Sequence, residues 1–168
     1  MVTSKTKAVP CPSWRRVPPG RPAFSLLEVV LVLAIIGVVA AIAAPRYANA
    51  LCRYRAEMAA RRIAADLEAA RAWAKRTSAS QAVTFNTGAE KYELVGREDP
   101  DHAGAPYEVV LGKAPYHADL SGALFGGGAT VTFNGFGMPD NGGDVDVQVG
   151  DHARTVRVDP DTGKITIE

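Results

Sequence analysis

Between Val29 and Ala44 the chain has no charged and no strongly polar side chain. That excludes an exposed loop or a surface helix, each of which needs a polar face. Acidic residues are missing from the first 23 positions, which hold Lys5, Lys7, Arg15, Arg16 and Arg21. Cysteine is nearly absent. Cys11 and Cys52 stand far apart, without the paired spacing of a zinc site. His102, His117 and His152 lie in polar, turn-like contexts and form no HExxH pattern, and neither GxSxG nor a Cys/His pair occurs. Gly126-Gly127-Gly128 is followed by a strand-like run and by no Lys-Ser/Thr, so it is not a phosphate loop. A membrane-anchored enzyme therefore lacks any catalytic constellation, and no cofactor or metal is expected.

What is present is organised around Phe24–Tyr47, FSLLEVVLVLAIIGVVAAIAAPRY. Its apolar part, about 20 residues from Phe24, makes roughly 30 Å of helix, the thickness of a hydrocarbon core. Apolar residues run all round this helix, which suits lipid or a closed bundle. Glu28 is the only ionisable group inside it. On insertion scales such a charge costs about 2.5–3.5 kcal/mol at mid-bilayer and less near the interface, so a partner is expected. A secretory signal peptide, cut near Ala41–Ala44, would have a shorter apolar core and no acid within it. A plain single-pass anchor has no need of Glu28.

These residues resemble the N-terminus of type IV prepilins and type II secretion pseudopilins. In that family a basic leader ends in a small residue, prepilin peptidase cuts after it, and the new N-terminus is methylated. A Glu is fifth in the mature chain, and a Pro often lies near the twenty-second place. With Phe24 first, Glu28 is fifth and Pro45 twenty-second. Ala23, after Pro22, stands where the family usually has Gly. The resemblance implies cleavage between Ala23 and Phe24, N-methylation of Phe24, and an assembly salt bridge from Glu28 to a neighbouring subunit's amine. It implies that Gly37 and Pro45 let the helix kink or loosen as it packs. Its partners would be the peptidase, other pseudopilins or pilins, an inner-membrane assembly platform and the membrane itself. The leader is long for that family, as expected if translation starts at a later codon.

Charge is distributed unevenly behind a net +1. Residues 46–77 carry 8 basic and 3 acidic side chains, net +5, whereas residues 78–168 carry 6 basic and 14 acidic, net −8. Cleavage would leave Cys52 alone, so the mature chain has no intrachain disulfide.

Residues 1–23, with Pro10, Pro12, Pro18, Pro19 and Pro22, read as a disordered cytoplasmic leader. Arg46, Arg53 and Arg55 flank the other end of the span; the family resemblance sets the N-terminus inside. Residues 24–45 read as the transmembrane helix, bent or interrupted at Pro45. Residues 46–77 continue it as an amphipathic helix. Ile63, Leu67, Ala70 and Ala74 form the apolar stripe; Arg61, Arg62, Asp66, Glu68 and Arg76 are assigned to the opposite face. Residues 78–168 read as a β-rich periplasmic domain. Strands are expected at 82–85, 91–95, 107–111, 130–133, 144–149, 155–158 and 164–167, between turn signals such as Asn141-Gly142-Gly143. The expected fold is α+β, a long N-terminal helix packed on an antiparallel sheet domain, pilin-like. Residues 69–85 and 130–167 are similar to the H-type minor pseudopilins and the related FimT-type minor pilins, with about 96–128 unmatched.

Asp159–Gly163 and the pair Asp144 and Asp146 invite a calcium reading. The pentad lacks a later Glu at loop distance, and a hairpin turn is the simpler reading. The function expected is a minor pseudopilin of a type II secretion machine or related pilus. The alternative is a DNA-binding minor pilin for DNA uptake, which needs a basic patch that residues 78–168 as a whole do not supply.

Overall fold

A computed structural model describes residues 24–168, so the leader residues, Ala23 and Cys11 among them, lie outside it. Helix α1 runs unbroken from Leu26 to Thr77, 52 residues. Contacts divide the chain into two compact units that meet at Ala41 and Ile42. In the first, every described residue is exposed.

The second unit holds the rest of α1 and eight strands: β1 (Gln81–Asn86), β2 (Lys91–Glu98), β3 (Pro106–Val110), β4 (Asp119–Phe125), β5 (Thr130–Phe133), β6 (Gly143–Val149), β7 (His152–Val158) and β8 (Ile165–Ile167). They form two four-stranded antiparallel sheets, ordered β3-β2-β1-β5 and β4-β6-β7-β8. Seven strands match the expected runs. The eighth, β4, falls in the stretch the sequence left unread. Gly122 interrupts its pattern, and its register with β6 shifts between Leu120 and Gly122, so simple alternation is lost. The two-sheet division was also not expected. Gly126 and Gly127 have φ of 57° and 101°. They form the tight turn closed by Phe125 and Gly128, whose backbones exchange bonds of 2.7 and 3.0 Å, a conformation that favours glycine at both positions.

One core joins helix and sheets. Ala56, Ala59, Ala60, Ile63, Leu67, Ala70 and Ala74 are buried with Val83, Phe85, Tyr92, Val131, Phe133, Val145, Val147 and Val156. The stripe is mostly alanine, so the helix can lie close to the strands while β-branched and aromatic side chains fill the space between. Among the described residues every buried apolar side chain lies between Ala56 and Val158, so a chain starting after Pro45 keeps all of them. Arg71 fastens two turns to the helix, its Nε donating to the Gly137 carbonyl at 3.0 Å and its Nη2 to that of Thr162 at 2.7 Å.

Asp66 corrects the sequence reading. It is buried at 7% exposure rather than lying on the solvent face. Its carboxylate accepts bonds from the Tyr92 hydroxyl at 2.5 Å, the Tyr107 hydroxyl at 3.0 Å and Arg62 Nε at 2.9 Å. Arg62 Nη2 also donates to the Tyr107 oxygen at 2.6 Å. A helix carboxylate is thus bonded by hydroxyls from β2 and β3, and the donors offset its desolvation. Burial, and then the Asp66 charge beside it, push the Tyr92 phenol well above its usual range.

Two outcomes follow for the chain beginning at Arg46. Ala60→Leu overpacks the helix–sheet contact and lowers urea stability by about 1–3 kcal/mol, whereas Ala65→Leu, on the exposed side, leaves it within about 0.5 kcal/mol. Because the folded state holds the Tyr92 phenol neutral, its contribution is complete below the unfolded phenol's value of about 10 and is lost as pH rises above it. Thermal scans from about pH 9 to 11 are expected to show a steep fall that Tyr92→Phe flattens, that variant being less stable at neutral pH by about 1–3 kcal/mol.

Candidate functional site

The first turn of α1 is built by local chemistry. Ser25 precedes the helix, its hydroxyl accepting from the Glu28 backbone N–H at 3.1 Å and its carbonyl from Val29 N–H at 3.2 Å. The hydroxyl satisfies one of the unpaired donors of a helix start. Ser25-Leu26-Leu27-Glu28 has the spacing of a capping box, and Phe24 stands where a hydrophobic staple begins. Phe24, Glu28, Val29, Val32 and Leu33 line one shallow apolar groove of about 240 Å³. The sequence reading singled out Phe24 and Glu28 and missed Ser25, although the Ser-x-x-Glu signal was present.

Glu28 lies in the first turn, where the helix dipole favours an anion. Among the described residues its carboxylate has neither an ion pair nor a hydrogen bond. Around it the helix is bare: Phe24 is 79% exposed and Leu26 82%, and residues 24–50 are exposed throughout. The helix is long and apolar enough to cross a membrane. Gly37 has nothing within 4 Å of where a Cβ would lie, so this chain's own packing does not require it. Pro45 sits inside the continuous helix, without an N–H for the Ala41 carbonyl.

The other candidates are occupied by ordinary structure. Asp159 Oδ1 accepts from the backbone N–H groups of Asp161 and Thr162 at 3.0 and 2.7 Å and from the Thr162 hydroxyl at 2.8 Å, which is an Asx turn. These bonds hold its carboxyl below the usual range. Asp144 pairs with Arg157 at 2.8 Å, and Asp146 accepts from the Thr155 hydroxyl at 2.6 Å. Among the described residues no group of three or more metal-ligating side chains converges. His102 meets Asp99 at 3.0 Å in an exposed turn, His117 is exposed, and His152 is half-buried at the start of β7. Cys52 is a half-buried free thiol.

Residues 59–162 match the family model described as Type II transport protein GspH, and residues 20–44 match that of the prokaryotic N-terminal methylation motif. No curated protein sequence matches the chain. Crystal structures of the type IV minor pilin FimU from Pseudomonas aeruginosa PAO1 are similar in two crystal forms. The P21 form has 17% identity over 69% of this chain and 90% of that one, with a TM-score of 0.48. The P65 form has 15% identity over 67% and 91%, with a TM-score of 0.47. With more than half of its length inside the first family model, and a methylation motif ahead of it, this chain belongs to the type II transport protein GspH family of pilin-like subunits.

Proposed function

We propose that the protein is a minor pseudopilin of a type II secretion system or a closely related pilus-like filament, cut between Ala23 and Phe24, methylated at Phe24 and assembled through its N-terminal helix. The observation that carries this reading is the conjunction of an apolar helix left uncovered, and an acid at Glu28 left without a partner, by the described residues, together with the methylation motif over residues 20–44. Residues 1–23 are the cytoplasmic leader and 24–45 the span in the inner membrane. Residues 46–77 carry the helix into the soluble part, and 78–168 complete a periplasmic domain. The motif implies prepilin peptidase as processing partner and other pilins as neighbours.

In this mechanism the peptidase frees an amine one helical turn from Glu28. Glu28 then pairs with the amine of a neighbouring subunit. Both charges lie among apolar helices, so leaving either alone is expensive, and the pair fixes the axial register. Pro45 and Gly37 supply the soft segment of the helix, one lacking a backbone bond and the other weak in helix propensity. An inner-membrane platform draws the helices out of lipid into a filament, and the soluble domain meets other subunits or cargo.

A DNA-binding minor pilin is the second reading. One feature favours it: a surface groove of about 490 Å³ on the second unit is lined by Ala50, Arg53, Tyr54, Glu57, Arg61 and Arg154. Glu57 already pairs with Arg61 and Arg154, each at 2.9 Å, which leaves Arg53 as the unpaired cation there and little to neutralise a run of phosphates.

Glu28→Leu is expected to insert in the membrane at normal levels and to lose co-purification with partner pilins by about tenfold or more, as loss of one buried charge pair implies; normal co-purification sinks the pairing mechanism. The chain from Arg46 is expected to give no electrophoretic shift of duplex DNA at micromolar protein, and a salt-sensitive shift there would favour DNA uptake instead.

A further inference from the structure

Trp73, near the end of α1, carries two cations over its ring. The Arg76 guanidinium carbon is 4.0 Å from the ring centroid and that of Arg97, on β2, is 3.5 Å. Among the described residues neither arginine has an ion pair or a side-chain hydrogen bond. Arg97 Nη1 is buried with no hydrogen-bond partner. Among the described residues the indole N–H also has no partner. Together with Ala69 and Ala72, these three side chains line a cleft of about 350 Å³.

Residues 78–168 carry net −8, and five of the other eight arginines on this unit find acids, Arg61, Arg62, Arg71, Arg154 and Arg157; Arg46, Arg53 and Arg55, on the early part of the helix, have none among the described residues. Arg76 and Arg97 are instead stacked on an aromatic face, which orients a guanidinium and leaves its edge donors free. The cleft is thus lined by two cations and an indole, with no acid among its lining residues.

We propose that this cleft receives an acidic side chain, Asp or Glu, from a neighbouring protein. A carboxylate has two oxygens, each able to accept a charge-assisted bond of about 2.8 Å from a guanidinium N–H. Nucleic acid fits less well. Stacking a base needs an open indole face, and two guanidiniums already lie over this ring. Glu98 and Asp99 follow Arg97 directly; they repel a phosphate chain along its length more than they repel one carboxylate. The proposal stands apart from the cleavage and pairing at Phe24 and Glu28, because the cleft lies wholly within the second unit.

The test uses the chain from Arg46, which retains the complete core, and in which Trp73 is the only tryptophan, since the other is Trp14. Its fluorescence is followed during titration with the capped tripeptide Gly-Glu-Gly, its Gln counterpart and a single-stranded oligonucleotide. A saturable change at millimolar Glu peptide, at least fivefold weaker with the Gln peptide and lost in both Arg76→Gln and Arg97→Gln, supports the carboxylate cleft. Arg76 is exposed, so its variant keeps the fold and guards against misreading an unfolded Arg97 variant. Equal responses to the Glu and Gln peptides overturn the proposal, as does a response untouched by Arg76→Gln. Tighter binding of the oligonucleotide that the same variants abolish also overturns it. Residues 24–45 are absent from this fragment, so the result is independent of the helix-assembly reading.

Discussion

The structure depends on one unmet requirement: an apolar helix surface with a carboxylate set into it and, among the described residues, nothing to cover either. Residues 24–50 expose leucine, isoleucine and valine on every side. Such a surface is stable only in lipid or among other helices, where hydrocarbon rather than water meets it. The lone acid then selects between these surroundings. In lipid it gains nothing; among helices that each end in a free amine, it gains a counter-charge. Over residues 24–45 the composition therefore suits membrane residence, and Glu28, the one ionisable side chain there, is the basis of the proposed association.

The same helix solves a different problem over its second half. There the contact surface is alanine, and the chain supplies its own partner in two antiparallel sheets. Small residues bring the backbone close, and Asp66 ties the helix to β2 and β3 through Tyr92 and Tyr107. A buried carboxylate with three donors is costly to break and so marks one docking register. The exposed half is left bare among the described residues, and the covered half binds the chain's own strands. The division between the two compact units falls just after Ala41, whose carbonyl would have accepted from residue 45 had that residue not been proline.

Much of this was legible in the amino-acid order, for identifiable reasons. The apolar run and Glu28 are read by composition alone, and the Ile63–Ala74 stripe by its spacing. Asp66 was misassigned because a carboxylate on a helix is ordinarily solvated. Its burial depends on two tyrosines 26 and 41 positions away, which no local pattern reveals. Strand β4 was missed because Gly122 and a register shift hide its alternation. The Trp73 cleft joins residues 73, 76 and 97 from different elements, so only the folded chain brings it together. Ser25 was a different failure: its capping signal lay in plain sight beside the glutamate that drew attention away from it.

The central claim is that a rod freed ahead of Phe24 lies among similar rods with Glu28 answered by a neighbour's amine. Mass spectrometry of the native protein's N-terminus tests it most directly. The expected chain begins at Phe24 and carries one methyl group on its amine. Residues 1–23 still attached, or a cut near Ala44 in their place, would contradict it.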